Sequence, residues 1–374
     1  MIPTRSAARR DPAVDVLRLV ALGVVVLWHW VFSLNHRAGG VLVNPNPIDD
    51  IPGGWLLTWL FQVMPLFFVI GGYANLSAWE AVGRTAGTFL ARRLLRLLGP
   101  VAVFGAVWFV GEILIHLLRQ GYPGALAAAP VVFAPLWFVA AYVWTTALVP
   151  LTARLHRRWG VAVVVGLGAL VVAADLARFG YGADWAGLVN TVLVWVFAHQ
   201  LGYLWRDGTL TPAWRGAVLT AAALGVMALA VALTPYPRSL VAVPSQELSH
   251  MLPTTAVIAA LAVFWCGVAG LLSPALRRWS GSRWSGGRWS GGRWPLRRAN
   301  RLVYPVFLWH MTALLLVFLA VEQLGYAPGG APTPGWWQAR PFWLVAPAVV
   351  LAGLLVVFAP VERHFARLGS PHRR

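Results

Sequence analysis

Residues 13–34 read AVDVLRLVALGVVVLWHWVFSL, 22 positions in which only Asp15, Arg18 and His29 carry ionisable side chains. A bilayer core is crossed by roughly 20 apolar residues in a helix, because a helix pairs its backbone N–H and C=O groups within the segment. The run is long enough to span and has no small-x-small cleavage site, so it is expected to be a retained first span and not a cleaved leader. Ionisable groups in lipid are expensive. Each of the three must therefore face protein, and each becomes a candidate for function.

Nine further apolar runs meet the same requirement, near residues 55–79, 97–118, 131–151, 160–175, 187–205, 216–234, 253–272, 302–322 and 342–361. Composition agrees: 59% of the 374 residues are hydrophobic and 11% charged, and the mean hydropathy of +0.68 lies outside the usual mix for a soluble chain. The expected fold is all-α, a polytopic membrane bundle of about ten helices forming one domain over residues 1–374. Within it, residues 1–12 are the cytoplasmic N-terminus, 273–301 a cytoplasmic loop rich in Arg, Trp, Gly and Ser, and 362–374 a cytoplasmic tail.

The net charge of +18 is an arginine charge, since all 30 basic residues are arginine against 12 acidic ones. A nucleic-acid surface would gather them on one solvated domain or helix face. Here they lie in short gaps between apolar runs, which argues against a nucleic-acid partner and for anchoring against anionic lipid. With alternating spans, 24 arginines fall on one side and five on the other, namely Arg37, Arg119, Arg178, Arg238 and Arg340. The positive-inside rule then predicts cytoplasmic N- and C-termini, in a multi-pass protein of the bacterial cytoplasmic (inner) membrane. The near-repeats beginning at Arg278, Arg283, Arg288 and Arg293 have a five-residue period that fits neither a helix face nor a strand, so a mobile loop against lipid is expected. Cys266, the single cysteine, lies in an apolar run and reads as a small buried hydrophobe.

Arg18 and His29 are eleven positions apart, close to three helical turns, which puts them on nearly one face and about 16 Å apart along the axis. Asp15 precedes Arg18 by about a turn and can pair with it. Glu112 and His116, at i and i+4 in the third span, share a face at about the depth of His29, where they could orient it or contact a substrate. A metal held by His29, Glu112 and His116 is conceivable from ligand types, but the tight HExxH-like spacing is missing and no metal is expected. His199 reads as a packing or hydrogen-bonding residue. Trp137, Tyr142 and Trp144 fit either an acceptor groove or an interfacial belt, and the polar segment of Asn44, Asn46, Asp49 and Asp50 could meet a carbohydrate.

Asp15-Val16-Leu17-Arg18 leading to His29 resembles the first helix of the acyltransferase-3 family of membrane-bound O-acyltransferases. Met64 to Tyr73, MPLFFVIGGY, is similar to that family's proline, phenylalanine-rich and Gly-Tyr segment, although Gly71 stands where many members have Ser. Arg93-Leu94-Leu95-Arg96 followed by Pro100 resembles its Arg-x-x-Arg motif before the third helix, and Tyr304 to Trp309-His310 its late Tyr-and-His segment. The motifs lie mostly in the first hundred residues. No counterpart of the extracytoplasmic hydrolase-like domain of some members is expected here.

The resemblance implies transfer of an acyl group from cytoplasmic acyl-CoA, with acetyl-CoA the expected donor, to a hydroxyl of a carbohydrate, glycolipid or secreted small molecule. It implies catalytic roles for His29, Arg18 and Asp15, with His29 as general base, donor binding by Arg93, Arg96 and Arg92, and substrate contacts from Tyr73, Glu112, His116 and His310. Guanidinium forks suit phosphate, though arginines beside a span also serve as plain anchors. The alternative is a multi-span transporter or flippase, which also combines many spans with intramembrane charge; thioester consumption separates the two. A scaffold or sensor that recruits a partner through the Arg-Trp loop is a third reading. Deleting residues 279–294 and assaying turnover tests it, because turnover that survives the deletion makes the loop non-catalytic.

Overall fold

The structure, a computed structural model, describes residues 11–118, 129–282, 294–325 and 332–368. The expectations for residues 1–10, for Arg119 and for the repeats at Arg283, Arg288 and Arg293 lie outside the described residues. Ten helical segments among these residues are long and apolar enough to cross a membrane.

Helix α1, Pro12–Val31, is followed by a short hairpin of β1, His36–Ala38, and β2, Val41–Val43. The second span is broken into α2, Trp55–Phe61, and α3, Met64–Ala81. Then come α4, Ala86–Leu118; α5, Leu136–Ala147; α6, Val149–Trp159; α7, Val161–Tyr181; α8, Asp184–Arg206; and α9, Ala213–Leu233. The chain closes with α10, Ala256–Ser282; α11, Trp294–Gln323; the short α12, Pro334–Gln338; and α13, Arg340–Leu368. All of the spans read from the sequence are present. The structure corrects two boundaries. Helix α4 starts at Ala86, so Arg92, Arg93 and Arg96 lie within a helix, not in a loop before it; apolarity marks the bilayer core, whereas Arg and Leu form helix well beyond it. The segment expected as a loop over 273–301 is entered from both ends by α10 and α11, and α10 runs on through the first of the near-repeats, Arg278 to Ser282, which the five-residue period had assigned to a loop.

The break in the second span follows from Pro65 in the first turn of α3, where its missing N–H is harmless. Backbone groups freed inside a membrane need new partners. The Gln62 carbonyl accepts from Trp265 Nε1 at 3.0 Å, and Gln62 Oε1 accepts from the Met64 N–H at 3.3 Å.

Helix α1 packs against α3, α10, α11 and α13, and it is clamped at both ends. At its start Asp11 caps the Ala13 N–H at 3.0 Å and takes hydrogen bonds from Tyr73 Oη at 3.1 Å and from Arg277 at 2.5–3.2 Å. At its end Arg340 Nη1 donates to the carbonyls of Val31 and Ser33 at 3.1 and 3.2 Å, and Trp336 Nε1 reaches Ser33 O at 3.2 Å. These bonds satisfy carbonyls that a helix terminus and its exit loop leave open.

The tightest crossing is α3 on α8. A Cβ on Gly72 would lie 1.9 Å from the His199 carbonyl oxygen, and one on Gly202 would lie 2.0 Å from that of Val69. Two bare backbones thus touch, the small-residue packing by which membrane helices associate. Past the crossing, Glu80 pairs with Arg157 and Arg206, and Asp207 with Arg157, Arg206 and His156. Burial holds the His156 imidazole below its ordinary range, and Asp207 at 3.2 Å pulls it back up. At the other end, Asp175 accepts from Asn190 Nδ2, Tyr236 Oη and the Ala256 N–H at 2.5–2.6 Å, joining three segments. Gly202→Ala should destabilise the purified protein by roughly 1–3 kcal/mol, the usual cost of overpacking, read as a lowered Tm in detergent; an unchanged Tm would contradict this crossing.

Candidate active site

Four residues of α1, spaced four, three and four apart, form one inward stripe: Arg18, Leu22, Val25 and His29. Arg18 and Leu22 line a cavity of about 610 Å³ near the end where α1 begins. Val25 and His29 line a second of about 620 Å³ towards the other end. Asp15 is buried, its carboxylate 3.6 Å from the Arg18 guanidinium.

The first cavity is basic. Arg18, Arg93, Arg96, Arg301 and Arg363 stand in its walls, and no carboxylate among the described residues does. Arg93 and Arg96 are one turn apart on α4 and so share a face, while Arg92, rotated away by about 100°, does not line the cavity. Arg93 Nη2 donates to the Ala74 carbonyl at 2.8 Å, and its Nε is buried with no hydrogen-bond partner among the described residues. Tyr304 Oη donates to Leu97 O at 2.8 Å, and Asn300 Nδ2 to Asp15 O at 3.2 Å, tying α11 to α4 and to α1 around this chamber. Gly71 makes room for the Tyr142 ring, since a Cβ there would lie 2.5 Å from its Cε2. That contact gives a local reason for glycine at 71.

Among the described residues, no Asp, Glu or Arg lines the second cavity. Trp28, Trp137, Trp144 and Trp195 surround it, with Asn46, Gln62 and Thr191 as polar points beside His29. Of the aromatics with two readings, Trp137 and Trp144 thus line this chamber, and Tyr142 lines the basic one. Of the polar segment of Asn44, Asn46, Asp49 and Asp50, Asn46 reaches the chamber, Asn44 accepts from the Leu34 N–H at 2.8 Å, and Asp49 bonds Ser245.

Behind His29 lies His310 of α11, fully buried, with the two rings stacked at a centroid distance of 5.1 Å. His29 Nδ1 and His310 Nε2 are 2.9 Å apart, and His310 Nδ1 is 2.7 Å from the Phe307 carbonyl. A carbonyl oxygen only accepts, so His310 Nδ1 carries hydrogen. In the neutral ring Nε2 then holds a lone pair and accepts from His29 Nδ1–H. The chain of bonds leaves the lone pair of His29 on Nε2. His310 lines neither cavity; its Nε2 meets the first imidazole.

The remaining sequence candidates are not brought to these chambers. Tyr73 lines neither; its hydroxyl closes the Asp11 cap. Glu112 and His116 share a face as expected, but α4 packs through Gly99, Pro100 and Phe104, and its later half turns away, leaving Glu112 half-buried and His116 exposed. Neither lines a cavity with His29, and among the described residues no cluster of three His, Cys, Asp or Glu side chains is placed to hold a metal. His199 is buried, with Nε2 3.1 Å from Asn75 Nδ2, a packing and hydrogen-bonding position. Arg301 and Arg363 were visible in the sequence only as contributors to charge asymmetry. The signal for Arg301 was its place one turn before Tyr304.

A multi-pass membrane protein with an imidazole pair beside an arginine-lined chamber is thereby defined. A family model described as an acyltransferase domain matches residues 11–361, nearly the whole chain. The chain belongs to the acyltransferase-3 family and is a membrane acyltransferase that transfers groups other than aminoacyl groups. No curated protein and no solved structure matches it.

Proposed function

We propose that this enzyme moves an acyl group, acetyl first of all, from cytoplasmic acyl-CoA to a hydroxyl of a carbohydrate, glycolipid or secreted small molecule in the bacterial inner membrane. The observation that carries the reading is the α1 stripe, which joins a chamber walled by five arginines to one containing a hydrogen-bonded imidazole. Coenzyme A carries phosphates, and guanidinium forks bind phosphate through charge-assisted, bidentate bonds. The unpartnered Nε of Arg93 supports an anion in that chamber. The arginine excess on that side of the bundle supports a cytoplasmic exposure. The pantetheine arm is comparable in length to the rise of about 16 Å between Arg18 and His29.

In this reading the acceptor enters the tryptophan-lined chamber. His29 Nε2 takes the hydroxyl proton as the hydroxyl oxygen bonds to the thioester carbonyl carbon. The carbon–sulfur bond then breaks, and the departing thiolate recovers the proton from His29. His310 acts as a positioning residue: it fixes the tautomer of His29 through a bond that only a donating Nδ1–H can make. Arg18, with Asp15 beside it, holds the donor at the basic end.

The test is thiol release from acetyl-CoA by the purified protein supplied with envelope glycans and exported metabolites. His29→Ala should lower kcat by about 10²–10⁴-fold, the usual range for a general base, in protein that is still folded. His310→Gln, which keeps an acceptor for His29 Nδ1–H, should retain more activity than His310→Leu. Arg93→Ala with Arg96→Ala should act mainly on KM for the donor. Solute uptake with no thioester consumed would overturn the reading.

A further inference from the structure

The two chambers share two walls, Phe138 of α5 and Phe307 of α11. Their rings meet edge to face with centroids 5.3 Å apart and planes at 64°. Phe138 is held by Phe67, Phe68 and Tyr142 at ring distances of 5.6, 5.3 and 5.7 Å. Phe307 stacks on Tyr304 at 6.4 Å, and its own carbonyl is the acceptor for His310 Nδ1. One residue therefore separates the chambers with its side chain and fixes the imidazole pair with its backbone.

Resting on the donor reading above, we infer that Phe138 and Phe307 form the passage between the arginine chamber and the His29 chamber, and that their rings, which also wall the His29 chamber, limit the length of the acyl group that fits there. A thioester whose phosphates are held among the arginines reaches His29 across the wall that these two rings share. An acetyl group extends one methyl past the carbonyl, whereas each added methylene must fit against these rings, in space also walled by Trp137, Trp195 and Ala141. Closely packed rings resist added volume, because interiors tolerate extra methylenes poorly. Both rings are apolar, so they also screen the thioester from water in the basic chamber. Removing one should admit a water whose oxygen bonds to the carbonyl carbon as the carbon–sulfur bond breaks, giving carboxylic acid and free thiol without an acceptor.

The experiment measures kcat/KM for acetyl-, butanoyl-, hexanoyl- and octanoyl-CoA in the wild type and in Phe138→Ala, Phe138→Leu and Phe138→Trp, together with thiol release in the absence of acceptor. Phe307→Leu, which retains the backbone carbonyl, runs in parallel. The hexanoyl-to-acetyl ratio should rise about ten-fold or more in Phe138→Ala, in keeping with what hydrophobic pockets discriminate. It should rise less in Phe138→Leu and in Phe307→Leu, and fall in Phe138→Trp. Acceptor-free hydrolysis should follow the same order. Leu and Trp change the ring in opposite directions, so they decide the matter even where Ala does not fold. A ratio that stays constant across the series while acetyl-CoA is still turned over overturns the passage alone. A wild type that consumes no acyl-CoA of any length overturns the donor reading, and the passage with it.

Discussion

An imidazole inside a bilayer holds one orientation only when the protein supplies partners for its ring nitrogens. For His29 that partner is His310 Nε2 at 2.9 Å, itself oriented by the Phe307 carbonyl at 2.7 Å. The bond joins α1 to α11 across 281 positions of sequence. It requires the two helices to meet at one depth, and much of the remaining structure fixes that depth. The Asp11 cap and the Arg340 clamp hold the two ends of α1, and Trp30 Nε1 adds a bond to the His310 carbonyl at 3.2 Å.

The other features divide the labour between the two ends of the stripe. Five guanidinium groups and no carboxylate, among the described residues, line the chamber at the start of α1. Tryptophans and amides line the one around His29. In the proposed reaction, that contrast would sort a polyanionic donor from an uncharged acceptor before any chemistry. The Gly72–Gly202 crossing and the Asp175 hub lie outside both chambers and give the frame its rigidity.

The spans were legible because each depends on a local property, about 20 apolar residues bounded by arginine, and the Arg18–His29 stripe was legible because helical periodicity is local too. The start of α4 was not, since helix continues into arginine-rich sequence that hydropathy counts as loop. Periodicity also says which residues share a face but not where that face points. It grouped Glu112 with His116 and could not tell that the later half of α4 turns away from His29. Tyr73 and His310 were found through the family resemblance, yet their contacts, an N-cap in one case and a second imidazole in the other, depend on packing between distant segments. Arg301 and Arg363 join the basic chamber for the same reason: α11 and α13 bring them to Arg18 from the far end of the chain.

The most direct test of the account is a structure of the enzyme with a non-hydrolysable thioether analogue of acetyl-CoA. The account predicts phosphates among Arg18, Arg93 and Arg96, the pantetheine arm passing between Phe138 and Phe307, and the sulfur beside His29 Nε2. An analogue bound with its phosphates away from these arginines, or with its sulfur in a compartment that His29 does not reach, would contradict it.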